Sequence, residues 1–148
     1  MLDVDGVLTD GRLHYGSRGE VLKVFHVRDG HGIKTLLAAG VEVAVISGRR
    51  SPAVARRCRE LGLRHVFQGI GDKLGCLESL LRRLGLPAAA CAAIGDDSPD
   101  VALLRHVGLP IAVADAHADA RRAARRVTRL AGGDGAVREV CDWLLAGR

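Results

Sequence analysis

The chain has 148 residues, 48% apolar and 26% charged, with 19 Gly and 4 Pro, a globular composition sized for a single domain spanning 1–148. No charge-free run reaches the roughly 18 residues of a membrane span, and "MLDVDG" carries acids where a leader would be apolar, so a cytoplasmic location is expected. The formal net charge of +5 invites an anionic partner. Nucleic acid is not expected, because aromatic stacking platforms are few and the densest basic run, "RRAARRVTR" from Arg121, alternates Arg with Ala as the solvated face of a helix does.

The opening "MLDVDGVLTDG" reads as a short strand ending in Asp3 and Asp5. Residues i and i+2 of a strand point the same way, so both carboxylates crowd one volume and repel unless a cation sits between them. The alternative is an Asx-rich turn into Gly6. Next, "RLHY" and "EVLKVFHV" flank "GSRG", a hairpin insertion over 12–27 whose residues include Tyr15, Leu22, Val24 and Phe25. A lone hairpin is marginal in water, so this one is expected to pack on something, in a chain this small another subunit.

A helix follows in "RDGHGIKTLLAAG", where Gly30 and Gly32 allow close backbone approach. "VEVAVISG" is a β-branched strand, and "SPAVARRCRELG" a helix with Ser51 as cap and Pro52 at its first position. "HVFQG", "ACAAIGDD" and "PIAVA" read as strands; "DKLGCLESLLRRLG", "SPDVALLRHVG", "DAHADARRAAR" and "GAVREVCDWLLAG" as helices; "RVTRLAGG" as strand or loop. The alternation predicts an α/β fold, a Rossmann-like parallel sheet between helix layers with the small hairpin inserted after the first strand. Cys58, Cys76, Cys91 and Cys141 lack CxxC spacing and read as buried small hydrophobes.

Ligands of such sheets bind beyond the carboxyl ends of the strands. Those ends carry Asp3 and Asp5, then Ser47, Gly48 and Arg49, then Asp96, Asp97 and Asp100, with Lys73 opening a helix between. Three acids suit Mg²⁺ better than zinc, while a hydroxyl, helix-start amides and a lysine suit a phosphoryl group. A second acid beside a nucleophilic carboxylate can protonate a leaving oxygen and then activate water. Taken singly, Ser47 and Gly48 could form only a strand-to-helix turn, Lys73 a solvated helix start and "GDDSPD" a capped loop. Neither G-x-x-x-x-G-K-[ST] nor a G-x-G-x-x-G loop after the first strand occurs, which disfavours nucleotide hydrolysis and dinucleotide binding.

These residues resemble the haloacid dehalogenase-like phosphatases, and within them the capless enzymes acting on 3-deoxy-D-manno-octulosonate 8-phosphate. "DVDGVLTDG" is similar to the first family motif, which implies Asp3 as nucleophile and Asp5 as acid/base; "ISGR" implies a phosphate contact for Ser47; "DK" implies Lys73 for the third motif; "IGDDSPD" implies Asp96 as metal ligand, supported by Asp97 and Asp100. "FHVRDGHGIKTL", "VAVADAH" and "VTRLAGGDGAVREVCDWLL" resemble stretches of the octulosonate enzymes, so the resemblance covers nearly the whole chain. It implies Mg²⁺ held by Asp3, Asp96 and the backbone carbonyl of Asp5, a homotetramer built on the hairpins, an acidic sugar phosphate substrate, and a role in lipopolysaccharide precursor synthesis. Arg28 and Lys34 are candidates for the sugar carboxylate against ordinary solvated charge, and Arg49 for a phosphate neighbour against a solvated helix residue. The rival readings are a nine-carbon ketodeoxy sugar 9-phosphate as substrate and a non-catalytic partner domain of the same fold. Two departures stand out: only Met1 and Leu2 precede Asp3, and the chain stops at "LLAGR", without the longer Gly-rich tail of some relatives.

Overall fold

In the computed structural model, which describes residues 1–147, the chain runs β1 (His14–Gly16), β2 (Gly19–Leu22), α1 (Val27–Ala38), β3 (Ala44–Ser47), α2 (Pro52–Leu61), β4 (His65–Gln68), α3 (Lys73–Leu84), β5 (Ala92–Gly95), α4 (Val101–His106), β6 (Leu109–Ala112), α5 (Ala118–Ala123), β7 (Arg126–Val127) and α6 (Ala136–Ala146). Strands β3 and β4 pair in parallel, as do β5 with β6 and β6 with β7. The N-terminal segment joins these two groups. Leu2 bridges Val45 on one side and Ile94 on the other, both parallel. Leu2 N donates to Ala44 O at 2.8 Å and Asp3 N to Ile94 O at 3.2 Å, so the short first strand is central to the sheet.

Burial follows from that position. Val45, Ile46, Ile111 and Ala93 have no exposed surface, and Ile33, Val54, Leu77, Leu103 and Val137 close over them from the helices. Helix α1 packs on α6 and α2, while α4 packs on α3 and α5. No helix among the described residues is long and apolar enough to cross a membrane.

Three details differ from the sequence expectation. The run from Arg121 is not one helical face: α5 ends at Ala123, and Arg125 N and Thr128 N donate to Pro110 O and Ala112 O as β7, read from sequence as strand or loop, joins the sheet edge. Ladder bonds outweigh the helical preference of alternating Arg and Ala. Ser51 stands at the N-cap of α2 but makes no side-chain cap bond, its hydroxyl donating instead to Glu20 Oε1 at 2.8 Å. Phe25 is partly buried against the core rather than displayed with the hairpin's apolar face, and Cys76 and Cys91 are only half-buried.

Candidate active site

The carboxyl edge of the sheet gathers an acidic cluster. Asp3, at the end of the central segment, is 6% exposed, and Lys73, the first residue of α3, reaches across to place its Nζ 2.9 Å from Asp3 Oδ1. The same ammonium lies 2.7 Å from Asp100 Oδ1. Asp96 follows β5, and Asp100 Oδ2 accepts from Asp96 N at 3.1 Å, which pins the loop between them. Asp97 caps that turn by accepting from Ser98 N. Gly6 is required here: its φ of +87° is left-handed, and a Cβ would stand 2.1 Å from Asp96 Oδ2.

One carboxylate oxygen from each of Asp3, Asp96 and Asp100 lies within 4.8 Å of the others. Burial and the Asp100 carboxylate push Asp3 up to about 6 despite Lys73. Burial and the carboxylates of Asp3 and Asp100 push Asp96 up to about 8. Burial alone would lower the Lys73 ammonium, but Asp3 and Asp100 outweigh it and raise its pKa. Three carboxylates and one ammonium leave two uncompensated negative charges when ionised, the complement of one divalent cation.

The Asp5 carboxylate points elsewhere. Its Oδ1 is in contact with Lys23 Nζ, and its Oδ2 lies 3.8 Å from Arg49 Nε. Lys23 also lies 3.3 Å from Glu20 Oε2, which accepts from Arg49 at 3.1 Å. Arg49 further donates to Tyr15 Oη at 3.2 Å. Hydrogen bonds from Ser51 and Arg49 and the Lys23 contact overcome desolvation to lower Glu20. The hairpin therefore reaches the site edge through Tyr15 and through Glu20 and Lys23, two side chains that the sequence does not single out.

A family model for haloacid dehalogenase-like hydrolases matches residues 65–140. The chain is 50% identical over 145 residues to a 3-deoxy-D-manno-octulosonate 8-phosphate phosphatase of Escherichia coli, covering 98% of this chain and 77% of that protein. It belongs to the 3-deoxy-D-manno-octulosonate 8-phosphate phosphatase family. The crystal structure of the Moraxella catarrhalis phosphatase, in complex with magnesium, phosphate and KDO, superposes with a TM-score of 0.96 at 43% identity over 99% of this chain and 84% of that one. The cobalt-bound Haemophilus influenzae enzyme gives a TM-score of 0.95 at 46% identity, covering 98% and 85%.

In this octulosonate phosphatase fold, the remaining candidate residues divide into two groups. Ser47 is buried at the end of β3, its Oγ accepting from Arg49 N at 3.3 Å, and Gly48 follows it exposed. Both stand beside the Asp3 segment, since β3 pairs with it. Arg28 and Lys34 lie on α1, exposed, and among the described residues no side-chain bond joins either to the acidic cluster. Arg28 instead lines a cleft with Arg129, Arg138 and Trp143. Arg49 is neither a solvated helix residue nor part of the acidic cluster, being tied to Glu20 and Tyr15. The oxygen-only donor set of Asp3, Asp96 and Asp100 fits a hard cation such as Mg²⁺, which prefers carboxylates and water.

Proposed function

We propose that this chain hydrolyses 3-deoxy-D-manno-octulosonate 8-phosphate to the free sugar acid and inorganic phosphate, with Asp3 as nucleophile. The observation that carries the reading is the placement of Asp3: a buried carboxylate at a strand end, held by Lys73 and flanked two residues on by a second acid outside the oxygen cluster. Near-complete coverage at 50% identity with phosphatases of that substrate supports the choice of sugar.

Asp3 attacks phosphorus in line as the bond to the sugar oxygen breaks, giving an aspartyl-phosphate. Asp5 donates its proton to the departing oxygen, then takes one from the water that attacks the aspartyl-phosphate. Ser47, the Gly48 backbone and Lys73 hold the phosphoryl oxygens, and Lys73 offsets repulsion between Asp3 and the dianionic substrate. Asp3, Asp96 and the Asp5 backbone carbonyl, with Asp97 and Asp100 in support, would hold a magnesium ion, which would supply positive charge against the phosphate oxygens. The chain works in the cytoplasm, where a charged sugar phosphate is made and kept.

The sugar carboxylate requires a cation that the acidic cluster does not provide. Arg28 supplies it in a neighbouring copy's site, with Lys34 further along the same helix as a second cation. A desolvated bidentate arginine contributes about 2 kcal/mol to such a choice, close to 30-fold. Phosphate release should give a higher kcat/KM for the eight-carbon acidic sugar phosphate than for its nine-carbon analogue or glucose 6-phosphate, and Arg28→Ala should narrow the preference over glucose 6-phosphate by at least about tenfold. Equal values for acidic and neutral substrates in the parent chain reject the sugar assignment.

The hairpin makes the assembly a homotetramer in this reading. Tyr15, Val21, Leu22 and Val24 are 61%, 66%, 51% and 56% exposed, an apolar face that a single copy leaves in water. Val21→Asp with Val24→Asp should shift the species seen by light scattering from tetramer toward monomer, without a loss of thermal stability in the monomer. A parent chain that is monomeric at micromolar concentration contradicts this. Phe25, packed inward, is unsuited to the test.

A further inference from the structure

The pattern "VLKVF" that closes the hairpin displays Leu22 and Val24 and turns Lys23 inward, where its side chain is 2% exposed. Its ammonium is shared by two carboxylates, Asp5 Oδ1 and Glu20 Oε2, the latter at 3.3 Å. Glu20 also accepts from Arg49 and from Ser51 Oγ. The four charges of Asp5, Glu20, Lys23 and Arg49 balance, separately from the acidic cluster beside them.

A buried ion pair is poor value as a fold stabiliser, because desolvation of both charges offsets their attraction and well-packed apolar residues serve equally or better. In a hairpin whose neighbouring residues are Leu22 and Val24, an apolar side chain at position 23 would be the simpler solution. The buried ammonium is instead directed at the carboxylate proposed as acid/base. With Oδ1 committed to Lys23, Oδ2 is left for proton transfer, 3.8 Å from Arg49 Nε and so beyond hydrogen-bond distance of it.

We propose that Lys23 is a positioning residue for Asp5: it fixes Oδ1 so that Oδ2 gives its proton to the leaving sugar oxygen as the P–O bond breaks, and receives one from water as that water attacks the aspartyl-phosphate. The inference rests on the phosphatase reading above. It also makes the acid/base geometry depend on where the hairpin sits, because Lys23 and Glu20 both belong to it.

The test compares Lys23→Met and Lys23→Arg with the parent chain, using octulosonate 8-phosphate and p-nitrophenyl phosphate with Mg²⁺. Loss of an oriented general acid/base should cost Lys23→Met about 10²-fold in kcat on the sugar phosphate, with KM changed less than about threefold because the Lys23 ammonium is buried against Asp5 and Glu20. Lys23→Arg, which restores the charge, should recover most of that loss. p-Nitrophenolate leaves without needing a proton, so Lys23→Met should retain a full first-turnover burst on p-nitrophenyl phosphate while the steady state slows. An unchanged kcat on the sugar phosphate, or a burst lost together with it, overturns the role of Lys23. Should Lys23→Met not fold, Lys23→Gln decides by the same readouts: kcat reduced with KM and burst kept supports the role, and parent-like kcat overturns it. A parent chain that hydrolyses neither substrate overturns the phosphatase reading itself.

Discussion

Asp3→Asn should lower kcat by at least about 10³-fold, the scale of removing a covalent nucleophile, equivalent to about 4 kcal/mol of transition-state stabilisation. The amide is nearly isosteric and cannot attack phosphorus as a carboxylate does. The fold should survive, because Lys73 keeps Asp100 at 2.7 Å and the Asp3 backbone N–H still donates to Ile94 O. Metal-free stability should even rise, since one of three mutually repelling carboxylates is gone. Phosphate release in steady state and thermal melting in chelator together check this: large kinetic loss with an equal or higher Tm is expected. Near-parent turnover would remove Asp3 as nucleophile.

Stripping divalent ions should abolish turnover, and Mg²⁺ should restore it, because the donor set of Asp3, Asp96 and Asp100 is oxygen alone. The same cluster predicts a pH signature in the metal-free chain. Asp3 and Asp96 sit at about 6 and about 8, above the ordinary carboxylate value of 3.8. The folded state then binds more protons than the unfolded state between that value and the raised ones, so stability falls as pH rises through this window. Well below the ordinary value of 3.8 both states hold the protons and the penalty is absent; it grows through the window and is complete only once pH is well above the Asp96 value of about 8. Melting curves in chelator at pH 5 and pH 8 should give the lower Tm at pH 8, attributable to the cluster if Asp96→Asn flattens the difference, and Mg²⁺ should raise Tm most at pH 8. A metal-free Tm that rises across the window contradicts the crowding of these carboxylates.

The strand-end logic that located Asp3, Ser47, Lys73 and Asp96 was readable because βα alternation places such positions on one edge whatever the details of packing. The hairpin was readable from two apolar stretches around "GSRG". The charge network behind Asp5 was not, since Glu20 and Lys23 of the hairpin meet Asp5 and Arg49, from two other stretches, only once the hairpin lies against the site edge. A local signal existed: in "VLKVF", alternation that displays Val24 also turns Lys23 inward, which marks a lysine in need of a partner. Read that way, Phe25 falls on the packed side too. The break in the Arg121 run was legible in the split of "DAHADARRAAR" from "RVTRLAGG" at Arg126, whereas the sheet edge offered by Pro110 and Ala112, which makes that segment a strand, lay beyond local reading. There Arg126 stacks over the Trp143 ring at 4.8 Å, a contact between elements that periodicity cannot register.

The measurement closest to the central claim is the capture of a phosphoryl group on Asp3. The Asp5→Asn chain keeps the nucleophile and Lys73 but lacks the base that activates water, so phosphorylated enzyme should accumulate when it meets Mg²⁺ and p-nitrophenyl phosphate, whose leaving group departs without a proton. Acid quenching followed by peptide mass analysis should find one phosphoryl group per chain, confined to the peptide that contains Asp3 and absent when Asp3 is also replaced by Asn. A phosphoryl group on another residue, or phosphate released at the parent rate with no phosphorylated chain at any time, would contradict the account.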